Sequence, residues 1–235
     1  MNYAIIAAGE GSRLVQDGVK IPKPLVELNG VPLIARLIAI FCRNNAQSVS
    51  IIINEEMTEV RKYMESLPLT VPLHLIIKST PSSMHSFYEL SRFLQGGKFC
   101  LTTVDTVFKE EEFASYIRNF ENDTASDGSM AVTDYIDDEK PLYVSTDEKT
   151  AQINGFSDTS GAQYISGGIY GLTPRAITTL DRCMEKGMSR MRNYQRQLIA
   201  DGLKLKAYPF SKIVDVDHAE DIQKAEDFLN NEQND

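Results

Sequence analysis

The sequence predicts an α/β protein in which a mixed, mostly parallel sheet carries helices on both faces. Short apolar runs rich in β-branched residues alternate with longer helical patterns through the first half of the 235 residues, an order typical of parallel strands joined by crossover helices. Several strand patterns then follow one another closely, which predicts a small β-rich lobe over residues 126–172. Hydrophobic residues make up 42% of the chain, which is ample for a core at this length.

In the first half, each strand pattern is followed by a helical one. The predicted strands cover residues 3–8, 48–53, 73–78 and 98–104, and the predicted helices cover residues 31–45, 55–67, 84–94 and 109–122. The strands are nearly continuous apolar runs, as expected for strands that are covered on both faces. The helices repeat apolar residues at helical spacing, as Leu33, Leu37 and Phe41 do in the first.

The second half has a different order. After a polar turn at residues 123–128, strand patterns cover residues 129–135, 142–145, 151–156, 163–172 and 203–208, helical patterns cover residues 174–186, 190–201 and 219–230, and an apolar and acidic run covers residues 213–217. The acidic tail 230–235 is expected to fray. Since no repeat or long linker is present, we expect a single domain over residues 1–235 with halves at 1–125 and 126–235.

Charge and cysteine content exclude several classes of protein. The formal net charge of -9 at pH 7 argues against a general nucleic-acid binder, which needs a basic surface. No apolar run approaches the ~18 residues of a membrane span, and the N-terminus lacks a signal-peptide pattern, so we expect a cytoplasmic protein. Cys42, Cys100 and Cys183 have no disulfide or metal-site spacing and are expected to be reduced, buried thiols.

The loop behind the first strand is rich in glycine and basic residues. Ligands of parallel sheets collect beyond the carboxyl ends of the strands, where Gly9 and Gly11 would leave backbone N–H groups free to face an anion. Arg13 offers a planar fork for phosphate. Lys23, which has a proline on either side, offers a compact charge that is expected to contribute little to packing. These residues predict a phosphate site, with a solvated, mobile loop as the alternative.

The spacing of this loop differs from two common phosphate-binding patterns. A dinucleotide fingerprint, G-x-G-x-x-G, would place a glycine where Leu14 stands and would open a helix, whereas we expect the segment to continue as an irregular loop. A P-loop would need G-x-x-x-x-G-K-[ST], which is absent from the sequence. Both patterns are therefore excluded.

The segments AAGEGSR at residues 7–13 and PKPLV at residues 22–26 resemble the signature of the sugar-phosphate nucleotidyltransferases, which join an NTP to a sugar 1-phosphate or a related phosphate. The resemblance extends over about residues 2–229. It implies a Rossmann-like, GT-A-like fold whose first half binds the nucleotide and whose second half binds the acceptor. It assigns nucleotide binding to Ala8, Gly9, Gly11, Ser12 and Arg13, and catalysis to Arg13 and Lys23.

Nucleotidyl transfer concentrates negative charge on the α-phosphate, which Mg²⁺ would offset. Because Mg²⁺ takes a few carboxylates together with substrate oxygens, we expect aspartates near the loop. Asp105 follows the predicted strand 98–104 and would either emerge at the carboxyl edge of the sheet or cap the next helix. The resemblance implies that Asp105 is the first metal ligand, although V-D-T stands where many family members have Gly-Asp.

The second metal candidate lies in the run VDVDHAED at residues 214–221. Strand alternation would place Asp215 and Asp217 on one face, where two carboxylates repel each other unless a cation intervenes. The run resembles the closing D-[IV]-D-x-x-E-D-[IL] pattern of the family, which implies that Asp217 is the ligand and Asp215 a helper or substitute. Alternatively, Asp217 or His218 caps the helix that follows.

The resemblance also implies a pocket for the nucleobase. In the family, the loop after the third strand lies under the base, so Ser82, Ser83 and Ser86 would bond to its edge, with helix capping as the alternative. His74 and His85 have no partner residue at a spacing typical of a catalytic site, so neither histidine is given a catalytic role.

On the acceptor side, Gly167 and Gly168 interrupt the predicted strand 163–172. They would let an acceptor approach the backbone closely, or they mark a simple bulge. Arg190 and Arg192 would hold the acceptor phosphate, or they lie at a solvated helix start.

The sequence therefore predicts Mg²⁺-dependent transfer of a nucleoside monophosphate from an NTP to a small phosphorylated acceptor. A sugar 1-phosphate is the first candidate acceptor and a phosphocholine-like phosphate the second. A molybdenum-cofactor guanylyltransferase is a rival, but its usual loop, GGxSxRMGxxK, is not matched. A glycosyltransferase would use D-x-D, which the residues after Asp105 do not complete, and an idle nucleotide-binding paralogue is opposed by the charged residues present. The base, the acceptor and the oligomeric state stay open.

Overall fold

The computed structural model describes residues 1–230, so the predicted fraying tail lies almost entirely outside the described residues. The strands are β1 Asn2–Ala7, β2 Glu27–Leu28, β3 Val31–Pro32, β4 Ser48–Ile53, β5 Leu73–Ile77, β6 Phe99–Thr103, β7 Thr106–Val107, β8 Gly128–Thr133, β9 Tyr143–Thr146, β10 Ile153–Ser157, β11 Tyr164–Leu172, β12 Leu205–Pro209 and β13 Val214–Asp215. The helices are α1 Ser12–Gln16, α2 Leu33–Arg43, α3 Thr58–Ser66, α4 Ser83–Ser91, α5 Glu110–Asn122, α6 Arg175–Glu185, α7 Met191–Ala200 and α8 Ala219–Asn230.

The main sheet has the strand order β10-β9-β11-β6-β1-β4-β5, and β8 joins β11 to β12 beside this path. Strands β6, β1, β4 and β5 run parallel, whereas β11 runs antiparallel to β6, β8 and β9. The predicted mixed sheet is thus confirmed. The β-rich region over residues 126–172 extends this same sheet on its antiparallel side.

Helices cover both faces of the sheet because its central strands are apolar throughout. In β1, Tyr3 and Ile5 pack into one core cluster, and Ala4 and Ile6 pack into another. The first cluster contains the buried faces of α2, α3, α5 and α8. The second contains those of α4, α6 and α7. Both clusters hold the carboxyl ends of β1, β4 and β6 at one edge of the sheet, where the loops meet.

The residues after Gly11 form a short helix, α1, so the prediction of an irregular loop is wrong here. Leu14 is only 1% exposed, and its burial against the core anchors the single turn of helix. The backbone N–H of Val15 donates to Gly11 O at 3.1 Å and that of Asp17 donates to Arg13 O at 2.9 Å. α1 is only five residues long, but its presence removes one of the two arguments against a dinucleotide-binding pattern. The other argument, the absence of the third glycine, remains.

Other element boundaries differ by a few residues from the predicted ones. The helix predicted from residue 31 begins at Leu33, because Val31–Pro32 pairs with Glu27–Leu28 as a short hairpin. Cys100 and Cys183 are buried and Cys42 is half-buried, and each is a free thiol. Among residues 1–230, no helix combines the length and apolar character needed to cross a bilayer.

Candidate active site

The loop after β1 folds back over the carboxyl end of the strand. Gly11 has a φ of +63°, and a Cβ there would lie 3.1 Å from the Cβ of Lys23, so conformation and space both favour glycine. An added Cβ at Gly9 would meet no atom within 4 Å, which shows that this glycine borders open space. The loop therefore packs its second glycine against the lysine and leaves its first accessible.

A cavity of about 640 Å³, the loop cavity, opens between this loop and the carboxyl ends of β1, β4 and β6. It is lined by every residue that the resemblance assigns to the nucleotide: Ala8, Gly9, Gly11, Ser12, Arg13, Ser82, Ser83 and Ser86. Lys23, Asp105 and Asp217 line the same cavity. The fold thus brings together charged residues that are up to about two hundred positions apart in the chain.

Lys23 is a buried lysine held between two carboxylates. Its side chain is 9% exposed, and its Nζ donates to Oδ2 of Asp105 and, over 2.7 Å, to Oδ1 of Asp217. Burial lowers the pKa of the Lys23 ammonium, but the two carboxylates outweigh burial and hold that pKa above its usual value. The lysine therefore stays charged at neutral pH, and the expectation that it contributes little to packing is wrong.

Asp217 is contacted by a cation on each of its oxygens. Nη1 of Arg13 lies 2.6 Å from Oδ2, and Nζ of Lys23 lies 2.7 Å from Oδ1. The Arg13 side chain is 46% exposed, so this contact lies at the open mouth of the loop cavity. Arg13, Asp217, Lys23 and Asp105 form one continuous chain of opposite charges, which we call the ion-pair network.

Asp105 lies in the tight turn between β6 and β7. The alternative that it caps the next helix is wrong, because α5 begins only at Glu110 and Lys109 precedes it. The backbone N–H of Val216 donates to Asp105 O at 3.1 Å, which ties this turn to β13. Burial raises the pKa of the Asp105 carboxyl, but Lys23 outweighs burial and holds that pKa below its usual value.

A third carboxylate, Asp215, lies beside the ion-pair network. β13 ends at Asp215, so the predicted strand alternation with Asp217 does not apply, and a turn bonds Asp217 N–H to Asp215 O at 3.1 Å. Desolvation together with repulsion from Asp105 and Asp217 raises the pKa of Asp215. The Asp215 side chain is also open to solvent.

The carboxylates fit a divalent cation that shares its coordination with a ligand. Residues 1–230 contain no group of three His, Cys, Asp or Glu side chains arranged to hold a metal by themselves. Mg²⁺, however, takes one or two carboxylates and completes its shell with water and phosphate oxygens. A cation between Asp105 and Asp217 would relieve the repulsion that raises the pKa of Asp215. The donor set is therefore suited to Mg²⁺, which stays a prediction.

The serine segment forms the opposite wall of the loop cavity. Ser82 occupies the position before α4 but its side chain makes no cap hydrogen bond; its Oγ instead lies 2.9 Å from Nδ1 of His85. The hydroxyls of Ser86 and Thr80 are 2.6 Å apart. These hydroxyl groups face the cavity from a helix start, an arrangement suited to hydrogen bonds with a base edge.

Asn54, which the sequence analysis did not single out, also lines the loop cavity. Its Oδ1 accepts hydrogen bonds from Ser79 Oγ at 2.9 Å and from the Glu56 N–H at 3.0 Å. It is the first polar residue after β4. The rule that pointed to Asp105, a polar residue at the carboxyl end of a parallel strand, would have found it.

The glycine pair of β11 marks a bulge, since the pairing of β11 with β8 shifts register between Ser166 and Tyr170. A Cβ on Gly167 would lie 2.2 Å from Cδ1 of Ile213. Gly168 has a φ of +73°, and a Cβ there would lie 2.9 Å from Oγ1 of Thr106. The glycines therefore let β11 pack closely against the segments that carry Asp105 and Asp215.

Gly168→Ala is expected to lower the free energy of unfolding by about 1–3 kcal/mol, because alanine is strained at positive φ and its Cβ would press on the Thr106 hydroxyl, which is bonded to Thr103. Gly155→Ala is the control, since a Cβ there meets open space. Urea unfolding of both variants checks this. Equal stability of the two variants would show that the bulge tolerates a side chain.

Two further cavities adjoin the ion-pair network. One, of about 270 Å³, lies beside Asp105 and is lined by Gly168, Arg190 and Arg192. Arg190 has a φ of +71°, a strained conformation for a residue with a side chain, and its guanidinium makes no hydrogen bond within residues 1–230. Arg192, by contrast, is paired with Asp158 at 2.5 Å. Arg190 is thus the more available of the two for an anionic group.

The other cavity, of about 530 Å³, lies beyond Arg13 and is strongly acidic. Gly167, Asp215 and Asp217 form its inner wall, and the loop that carries Asp138 and Glu139 forms its outer wall. This loop was not assigned to the site from the sequence. Its acidic run, DYIDDE at residues 134–139, was the available signal.

The start of α8 is capped by residues other than those predicted. Asp17 Oδ2 accepts from the Ala219 N–H at 3.0 Å, and Asp221 Oδ2 accepts from the N–H groups of Asp217 and His218. The alternative that Asp217 or His218 caps this helix is therefore wrong. The Asp217 carboxylate is left to face Lys23.

Solved structures resemble this fold over nearly the whole chain. The inositol-1-phosphate CTP transferase from T. maritima matches with a TM-score of 0.82 at 17% identity, over 97% of this chain and 94% of that one. A putative glucose-1-phosphate thymidylyltransferase from Bacillus anthracis matches with 0.84 at 16%, over 97% and 94%. The CTP:phosphocholine cytidylyltransferase from Streptococcus pneumoniae matches with 0.75 at 18%, over 97% and 98%. At these identities, the likeness shows the fold.

No curated protein compared with the chain matches it significantly. The family model of the MobA-like NTP transferase domain matches residues 3–166, which is more than half of the chain and includes Gly9, Lys23 and Asp105. The resemblance to nucleotidyltransferases is thereby confirmed. The chain belongs to the family of MobA-like NTP transferase domains and is a nucleotidyltransferase.

Proposed function

We propose that the protein transfers a nucleoside monophosphate from an NTP to a small phosphorylated acceptor, first of all a sugar 1-phosphate, with Mg²⁺, and releases pyrophosphate. The observation that supports this most is the ion-pair network, which holds two cationic side chains and two carboxylates at the edge of a glycine-lined cavity. That set can bind both a triphosphate and a cation.

In this proposal, the triphosphate occupies the loop cavity, with Arg13 and Lys23 as its charged partners. An oxygen of the acceptor phosphate attacks the α-phosphorus in line, a P–O bond forms, and the bond to pyrophosphate breaks. The nucleophile is already ionised, so no protein base is needed, and the chain contributes positioning and charge. Asp105 and Asp217 would hold Mg²⁺, which would neutralise charge on the reacting phosphates.

The acceptor is proposed to lie in the small cavity beside Asp105, where Arg190 and the Gly168 backbone face it. Two of the similar structures are named for sugar or polyol phosphates as substrates. The opening loop lacks the GGxSxRMGxxK spacing, so membership of the MobA-like family does not favour the molybdenum cofactor as acceptor. NTP and small phosphates are cytoplasmic pools, which supports a cytoplasmic enzyme.

A second candidate acceptor is a phosphate that carries a cation, such as phosphocholine. The acidic cavity supports it, because Asp138, Glu139 and Asp215 line this cavity and none of them makes a close ion pair with a Lys or Arg in residues 1–230. Phosphocholine is also the named substrate of one similar structure.

Pyrophosphate release with each of the four common NTPs, tested against sugar 1-phosphates, inositol phosphate and phosphocholine, checks the proposal. We expect release only when one NTP and one acceptor are both present with Mg²⁺. The control of low activity is the Asp105→Asn variant at limiting Mg²⁺. Release of pyrophosphate without any acceptor, or of nucleoside diphosphate instead, would contradict the proposal.

A further inference from the structure

We propose that Lys23 occupies the place of the metal ion in the ligand-free enzyme, so that the metal is bound tightly only after a triphosphate draws the lysine away. This inference rests on the proposed function in one respect, namely that Asp105 and Asp217 are the metal ligands. It concerns the order in which the triphosphate and the metal bind and the effect of each on the affinity for the other, neither of which is dictated by the transfer reaction.

The position of the lysine ammonium is the first observation. Nζ of Lys23 contacts Asp105 Oδ2 and also lies 2.7 Å from Asp217 Oδ1. A cation that is held by both carboxylates would lie between them, where the ammonium now lies. The lysine side chain is 9% exposed, so most of it is buried and its ammonium is held at this position by the two carboxylates.

Arg13 supplies the second observation. Its Nη1 lies 2.6 Å from Oδ2 of Asp217, so both oxygens of this carboxylate already have cationic partners from the chain. A divalent cation that approaches the pair meets two positive charges a few ångströms away, and both repel it. The free site is therefore neutralised internally and is expected to bind metal weakly.

A bound triphosphate would turn this weak metal binding into tight binding. It brings several negative charges into the loop cavity, which both Arg13 and Lys23 line. The lysine is a point charge on a flexible stem and can turn from the carboxylates to the phosphates, which frees oxygens of Asp105 and Asp217. Metal and nucleotide then strengthen the binding of each other, and the coupling is reciprocal by thermodynamic necessity.

The test measures Mn²⁺ binding without any nucleotide, by electron paramagnetic resonance of the free ion. Lys23→Met removes the charge and keeps a long apolar stem. Lys20→Met makes the same change at an exposed position of the same loop and corrects for the general loss of one positive charge. We expect Lys23→Met to bind Mn²⁺ about 10-fold or more tightly than the wild type, within the range typical of site coupling, and Lys20→Met to bind like the wild type.

Lys23→Gln repeats the test with a polar side chain, and circular dichroism verifies that each variant is folded. Asp105→Asn, added to Lys23→Met, is expected to abolish the gain. Equal Mn²⁺ affinity in Lys23→Met and Lys20→Met would overturn the proposal, and so would a gain that survives Asp105→Asn. Because no substrate is involved, a positive result would stand even if the panel of NTPs and acceptors gave no turnover.

Discussion

Lys23→Ala is expected to lower kcat by about 10²–10³-fold, the usual cost of losing one preorganised charged contact to a transition state. The ammonium lies between Asp105 and Asp217 in the loop cavity, from which its flexible stem can bring it to the phosphates that this cavity is proposed to hold. Turnover is measured as pyrophosphate release at saturating NTP and acceptor, so that weaker binding does not obscure the loss. Near-normal kcat in Lys23→Ala would disprove the catalytic role.

The same variant is expected to lose stability, because it leaves two carboxylates without their shared counter-charge. Removing one partner of a fully buried ion pair costs about 3–5 kcal/mol. Here the loss should be smaller, since the Asp217 side chain is 36% exposed and water can reach it.

Lys23→Arg serves as the matched control for charge, and it should not restore full activity because a planar guanidinium does not fit a site shaped for a compact ammonium.

Asp105→Asn is expected to lower activity about 100-fold or more at limiting Mg²⁺, because a carboxylate ligand is replaced by a neutral amide and the metal contributes several kcal/mol to such reactions. Raising the Mg²⁺ concentration should restore part of the activity of Asp105→Asn but none of that of Lys23→Ala. Asp181→Asn, at an exposed position of α6, is the control and should behave like the wild type.

The metal titration separates a ligand from a structural residue. If Asp105 binds the metal, the Mg²⁺ concentration for half-maximal activity rises in Asp105→Asn. A loss of activity with an unchanged Mg²⁺ requirement would contradict the assignment.

The order of strands and helices could be predicted because it depends on local patterns. The apolar runs at β1, β4 and β6 are buried on both faces, and such runs are read directly from sequence. The short elements were missed or misjudged for a physical reason. α1 exists because Leu14 is buried, and β13 ends at Asp215 because the backbone turns there; both facts depend on tertiary packing.

The residues of the candidate site could be predicted from the sequence, whereas most of the contacts between them could not. Asp105 and Lys23 could be named because one follows a strand and the other follows a recognisable loop. Their pairing could not be deduced, since it joins positions 82 residues apart. Asp17, which caps α8 through Ala219, was missed because an aspartate at the end of a short turn carries no distinctive spacing.

In the proposed reaction, an oxygen of the acceptor phosphate becomes the bridge to the α-phosphorus of the NTP. Mass spectrometry of the products formed from an acceptor whose terminal phosphate oxygens are all ¹⁸O tests it most directly, with whichever acceptor turns over best. We expect every labelled oxygen to remain in the nucleoside-diphospho product and none to enter pyrophosphate. Labelled pyrophosphate, or a nucleotide product that lacks the label, would contradict the claim.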